Sequence, residues 1–291
     1  MGALYEVVHR GTKRRAALKL MRPELVHSAE LRSRFELETR VTASIESDHI
    51  VEVYDAGTDA ATGAPYLVME LLRGRDLSSE LIARGPMAIE EVAEHVRQTS
   101  RGLDKAHDAS IVHRDIKPEN LFLARRDDGS PCVKILDFGV AKLVADSRTA
   151  KTTRALGTAL YMAPEQIRGD AMIGPLADIY ALGHVAFTLL VGRPYFHEEE
   201  ASEQGYYGLR MAIVSGAKEA PSKRAERRLI TLPEGFDRWF FRATAADPLD
   251  RYDGARELAD ELDLVAAAHV RERHLETQAP TVRNPSRGGA P

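Results

Sequence analysis

Asp115 and Asn120 stand five positions apart in the run Ile111–Val112–His113–Arg114–Asp115–Ile116–Lys117–Pro118–Glu119–Asn120, and Asp137 closes the run Val133–Lys134–Ile135–Leu136. A carboxylate and an amide at that spacing, joined by a carboxylate at a strand end, supply the oxygen donors that hard cations take. One carboxylate is left over to accept a proton. Lys117 adds a cation suited to phosphate.

Elements must bring these groups together. Two short apolar runs, Leu121–Leu123 and Val133–Leu136, read as strands, with the polar insert Ala124–Pro131 as their turn. Upstream, residues 4–8 and 16–21 flank Arg10–Gly11–Thr12 as another hairpin, and Lys19 lies inside its second strand. By pattern alone such a lysine points to solvent. Within Glu24–Ile45, Leu31, Phe35, Val41 and Ile45 share one helical stripe, and Glu38 falls on it whereas Glu36 does not. A carboxylate on a buried face needs a cation, and Lys19 is the natural partner. The alternative leaves Glu38 hydrated at the edge of the stripe. Ile50–Tyr54 and Tyr66–Leu71 alternate as two further strands, and Arg73–Gly74–Arg75–Asp76 breaks that pattern. Apolar or small residues at 89, 92, 93, 96, 103 and 106 predict a helix from Ile89 to His107 that leads into the Asp115 segment.

His113–Arg114–Asp115 with Asn120, then Asp137–Phe138–Gly139, then Ala163–Pro164–Glu165, resemble the H-R-D-x-x-x-x-N, D-F-G and A-P-E motifs of eukaryotic-like serine/threonine protein kinases of bacterial type. The resemblance covers roughly residues 1–265. It implies an α+β bilobal fold: a small β-rich N-lobe (1–70) lacking its first strand, a hinge (71–76) and a larger, mainly helical C-lobe (77–265). Residues 266–291 would be the end of the last helix and a disordered tail, and the composition of Arg271–Pro291 points to disorder as well.

The same resemblance implies transfer of the ATP γ-phosphoryl group to Ser/Thr hydroxyls of proteins. Asp115 would orient the hydroxyl and take its proton, with Lys117 and Lys19 neutralising phosphate charge. Asn120 and Asp137 would hold Mg²⁺, or Mn²⁺ in its place. Lys19 reverses its solvent-facing reading, because Ala17–Leu18–Lys19 matches the V-A-I-K strand, and Glu38 becomes its partner. Gly2, Leu4, Ala17, Met69, the backbone of Glu70 and Leu72, Asp76 near the ribose, and Phe122 would surround the nucleotide. Met69 also reads plainly as a core methionine. Asp178 would hold the catalytic-loop backbone, and Arg251 would pair with Glu165. Thr149, Thr152 and Thr153 lie in the activation segment. Phosphate on Thr152, the first choice, would pair with Arg114 after self-association and trans-autophosphorylation. Thr158 would contact Asp115 and Lys117.

One departure stands out. The family's Gly-rich loop is G-x-G-x-x-G-x-V, and Met1–Gly2–Ala3–Leu4 matches only its last glycine and the residue two positions on. Fewer backbone N–H groups would then cover the phosphates. A native product extended at its N-terminus is therefore expected; a 291-residue product would bind ATP weakly. A kinase-fold scaffold with little turnover is the alternative reading. A small-molecule phosphotransferase is disfavoured, since small substrates need no activation segment.

Bulk composition fits these expectations. The formal net charge of −4 gives no pull toward nucleic acid, and the basic run Lys223–Arg228 reads as a solvated face. A single cysteine, Cys132, permits no internal disulfide and suits a reducing cytoplasm; beside a strand it reads as a packed thiol. The longest apolar run, Ile179–Val191, is too short to span a bilayer and predicts a buried helix. No signal peptide is visible.

Overall fold

The computed structural model describes residues 3–21, 39, 43–59, 61–126, 128–138 and 159–278. Glu38, Gly2, Thr158 and the activation-segment threonines, each assigned a role above, lie outside the described residues, as do Gly139 and most of the helix expected within Glu24–Ile45.

Among the described residues the small lobe contains one antiparallel sheet, built from β1 (Ala3–Val8), β2 (Arg15–Leu20), β3 (Val53–Thr58) and β4 (Pro65–Glu70), in the order β1-β2-β4-β3. Registered partners on antiparallel strands project to the same face. Leu4 therefore shares a face with Lys19 and Leu67, and Ala17 shares it with Met69. Ala17, Leu67 and Met69 are buried there with Val51.

The strand expected at Ile50–Tyr54 instead runs Val53–Thr58, with a register shift between Val53 and Asp55. The reason is competition for backbone. Val51 N–H donates to Ile135 O (3.0 Å), and Ile135 N–H donates to His49 O (2.9 Å), so Ile50 forms a parallel bridge to Ile135. That bridge leads to the second sheet, β5 (Gly74–Asp76), β6 (Leu121–Arg125) and β7 (Pro131–Ile135), in the order β5-β6-β7. Part of the expected hinge is thus a strand. Gly74 allows it: its φ is +142°, and a Cβ there would meet Leu123 O at 2.1 Å.

The helices of the large lobe are α1 (Leu77–Arg84), α2 (Ile89–Asp108), α3 (Pro164–Arg168), α4 (Leu176–Val191), α5 (His197–Glu200), α6 (Gly205–Ser215), α7 (Pro221–Glu226), α8 (Phe236–Ala243) and α9 (Ala255–Gln278). In α4 every residue from Ala177 to Val191 is buried, so the helix, mostly apolar on all sides, forms the axis of the core. Gly183 lets α8 approach it, since a Cβ would lie 2.9 Å from Ala243 Cβ.

α9 packs along α2 and continues through Gln278, which corrects the expectation of disorder from Arg271. Its last turns are rich in good helix formers and extend a helix already docked by Leu258, Leu262 and Ala266. Cys132 is buried, as a packed thiol should be. Among the described residues no helix is long and apolar enough to cross a membrane.

Candidate active site

The catalytic loop is held from below by one carboxylate. Asp178, fully buried in the first turn of α4, accepts from His113 N–H (2.9 Å) and Arg114 N–H (2.8 Å), and its Oδ2 meets His107 Nε2 at 2.8 Å. Arg114 has φ +66°, a left-handed conformation unfavourable for a side chain this large. The two hydrogen bonds to Asp178 hold the backbone there. His113 braces the loop from the other side. Its Nδ1 accepts from Asp115 N–H (3.2 Å), so Nε2 carries the proton that bonds Leu136 O (2.7 Å). The ring also meets Phe138 edge-on at 4.7 Å.

On this support the polar residues converge. Lys117 Nζ lies 2.9 and 2.8 Å from the two Asp115 oxygens. Asn120 Nδ2 donates to Asp115 O (2.7 Å) and to Asp115 Oδ2 (2.9 Å), which leaves Oδ1 as the acceptor end of the amide. The hairpin β6–β7 then places Asn120 and Asp137 at one end, since Leu136 N–H donates to Asn120 O (2.8 Å). Asp137 has φ +61°. Both its carboxylate oxygens lie 2.5 Å from Lys19 Nζ, with the side chains only 14% and 17% exposed. The lysine that strand pattern alone sends to solvent thus joins the two lobes.

The remaining candidates are distributed around that junction. Ala17 and Met69 are buried opposite each other, while Leu4, on the edge strand, is 67% exposed. Glu70 N–H donates to Glu52 O (2.9 Å), and no partner takes Leu72 N–H among the described residues. Asp76 pairs in register with Phe122. Its carboxylate caps α1, accepting from Ser79 N–H (2.8 Å) and Ser79 Oγ (2.7 Å), a capping role that the ribose assignment did not anticipate. Gly2 and Glu38 remain outside the described residues.

Sequence reasoning passed over three supporting side chains. His107 touches Asp178, and Gln166 bridges Ala163 N–H (2.9 Å) to Arg114 O (2.9 Å). Gln98 accepts from Val133 N–H at 2.7 Å. Each is an ordinary helix residue in the sequence, and no local pattern distinguishes it.

The donor set suits a hard divalent cation. Asn120 Oδ1 and the Asp137 carboxylate offer oxygen donors at the same hairpin end. Among the described residues no group of three or more His, Cys, Asp or Glu forms a self-sufficient metal cage. A cation here would need further oxygens, such as those of a polyphosphate. The site thus gathers two lysines, two aspartates and an amide where the sheet of the small lobe meets the hairpin β6–β7.

The comparisons give that class its family. The chain belongs to the protein kinase domain family, whose model matches residues 1–252. It is 37% identical over 253 residues to the serine/threonine-protein kinase PknL of Mycobacterium tuberculosis, covering 87% of this chain and 59% of that protein. It is 37% identical over 273 residues to the serine/threonine-protein kinase Pkn1 of Myxococcus xanthus, covering 93% and 37%. The crystal structure of the Mycobacterium tuberculosis PknI kinase domain aligns with a TM-score of 0.68 at 29% identity, over 91% of each chain. The chain spans less than two thirds of the length of these curated relatives.

Proposed function

We propose that this chain transfers the γ-phosphoryl group of ATP to serine and threonine hydroxyls of proteins, its own activation segment included. The observation that carries the reading is the hairpin β6–β7 with its preceding loop. It sets Asp115, Lys117 and Asn120 in one hydrogen-bonded cluster and brings Asp137 to Lys19 of the other lobe.

Asp115 orients the incoming hydroxyl and accepts its proton as the oxygen bonds to phosphorus. The bond from phosphorus to the β–γ bridging oxygen breaks, and ADP leaves with that electron pair. Lys117, beside Asp115, offsets charge on the transferring group, and Lys19 does so at the α- and β-phosphates. Asn120 and Asp137 would hold Mg²⁺, which neutralises phosphate charge when bound. Positioning and fixed charge account for the rate. The buried Arg114 Nε has no hydrogen-bond partner among the described residues. This supports a role in pairing with phosphate on Thr149, Thr152 or Thr153, Thr152 being the first choice, after trans-autophosphorylation between copies. The single cysteine suits a reducing cytoplasm.

The test is incorporation of ³²P from γ-labelled ATP into the chain and into a basic-protein substrate, with mass spectrometry of the product. Label on Ser or Thr in the wild type, and loss of it in Asp115→Ala and Lys19→Met, is expected. Equal labelling in the wild type and Asp115→Ala would overturn the assignment of the base. Wild-type protein that takes up no label would overturn the activity.

A further inference from the structure

Glu70 ends β4 and begins the connection between the lobes, and its side chain is tied down as firmly as its backbone. Oε1 accepts from Glu52 N–H (2.8 Å) and from Lys134 Nζ (2.6 Å). The same Lys134 Nζ lies 3.4 Å from Ile50 O. One carboxylate oxygen therefore links three parts of the chain: the hinge, the residues that lead into β3, and strand β7. Both side chains are mostly shielded, with Lys134 17% and Glu70 19% exposed. A pair this far out of water is screened less than a surface pair.

The placement gives the contact its consequence. Lys134 pairs in register with Phe122 and stands three residues before Asp137, which lies just past the end of β7. Among the described residues no hydrogen bond or ion pair joins it to Asp115, Asn120 or Asp137, so it acts through Glu70, Ile50 O and the strand that carries it. The neighbouring backbone bridge runs parallel to this contact. Val51 N–H donates to Ile135 O, Ile135 N–H donates to His49 O, and His49 Nδ1 meets Val133 O at 3.0 Å. These bonds fix the Ser47–Val51 approach to β7. The Lys134–Glu70 pair, beside the two hydrogen bonds between Glu52 and Glu70, extends this connection to the hinge itself.

We propose that Lys134 is a positioning residue whose ion pair with Glu70 sets nucleotide affinity. It does so by holding the hinge backbone of Glu70 and Leu72 in register with the hairpin that presents Phe122, Asn120 and Asp137. The proposal rests on the reading of this cleft as the nucleotide site. Loss of the pair loosens one wall of the cleft relative to the other and leaves the reacting groups in place. Binding therefore weakens while the chemical step is kept.

The experiment is calorimetric titration of Mg²⁺–ADP into the wild type, Lys134→Met and Lys134→Arg, with kcat and KM for ATP measured alongside. For Lys134→Met the Kd for Mg²⁺–ADP and the KM for ATP are expected to rise about 3- to 10-fold, with kcat within about twofold, as for loss of one partly buried pair. Lys134→Arg, which retains the charge, should return the affinity to within about twofold of wild type. Glu70→Gln should weaken binding to the same degree, and the double variant Glu70→Gln/Lys134→Met should add nothing further. Lys134→Gln takes the place of Lys134→Met if the latter fails to fold. A lowered Tm with unchanged Kd would mean a merely structural pair and would overturn the proposal. So would a rise in kcat, which would make the pair a restraint. A wild type that binds no Mg²⁺–ADP would overturn the nucleotide-site reading itself, and the proposal with it.

Discussion

Asp115 has two neighbours that keep its carboxylate in one orientation, Lys117 and Asn120, and neither is expendable for that purpose. Replacing the carboxylate by its amide keeps the shape and removes the group proposed to take the proton. For Asp115→Asn we expect kcat for peptide phosphorylation to fall by about 10²- to 10⁴-fold, the usual reach of general-base catalysis. Nucleotide affinity, measured by calorimetry with Mg²⁺–ADP, should stay within about threefold. A comparable loss of affinity would show that Asp115 holds the nucleotide rather than the hydroxyl. At this scale the sequence was most legible, because Asp115, Lys117, Asn120 and Asp137 declare their chemistry by type and spacing. Lys19 did not. Strand alternation sends an isolated lysine outward, whereas here Lys19 lies on the face that buries Ala17, Leu67 and Met69 and meets Asp137. That pairing is long-range information which no window of a few residues contains.

Elements succeed or fail as units, and the tie between α3 and the loop before α9 shows how much one contact can carry. Arg251 is fully buried. Its two terminal nitrogens each meet a Glu165 oxygen at 2.8 Å, its Nε donates to Ala245 O (2.9 Å), and one terminal nitrogen also reaches Leu176 O (2.7 Å). The guanidinium lies 5.0 Å from the centre of the Tyr180 ring. Removing one partner strands the other charge in the core, at a cost of about 3–5 kcal/mol. We expect Arg251→Met to lose about that much in urea denaturation, a large part of the stability of an ordinary domain. Arg251→Lys should lose nearly as much, since a single ammonium cannot replace the planar fork. The double variant Arg251→Met/Glu165→Leu should recover part of the loss, and an additive double variant would sink this account. The sequence identified α2, α4 and this pair, because long apolar periodicity and a marked motif survive without tertiary context. It misplaced β3 by three residues, because Ile50 and Val51 look like a strand start and are in fact claimed by β7. It also ended α9 too early, reading charged helix formers as tail where docking on α2 carries the helix onward.

The molecule as a whole carries a buried ionisable group that the phosphoryl-transfer chemistry does not use. His184 lies in the middle of α4, enclosed by the rings of Tyr180, Tyr195, Phe196 and Phe240, and neither ring nitrogen has a hydrogen-bond partner among the described residues. Burial, helped by the Arg251 and Arg224 guanidinium charges, pushes its pKa down to about 3. In the unfolded chain the value is about 6.5. Between those limits the unfolded state binds one more proton than the folded state, so stability rises with pH through the window and falls on acidification. From pH 7.5 to pH 5 this residue alone should remove about 2 kcal/mol, at about 1.4 kcal/mol per unit below 6.5. His95, also pushed down by burial although Glu91 pulls the other way, adds in the same direction. The measurement is urea denaturation of the wild type and His184→Phe at both pH values. The variant keeps an aromatic ring in the cluster and has nothing to protonate there, so it should lose about 2 kcal/mol less than the wild type on acidification. Equal losses in the two proteins would show that the acid sensitivity of the large lobe lies elsewhere, and that the ring of His184 meets its proton in the folded state at no cost.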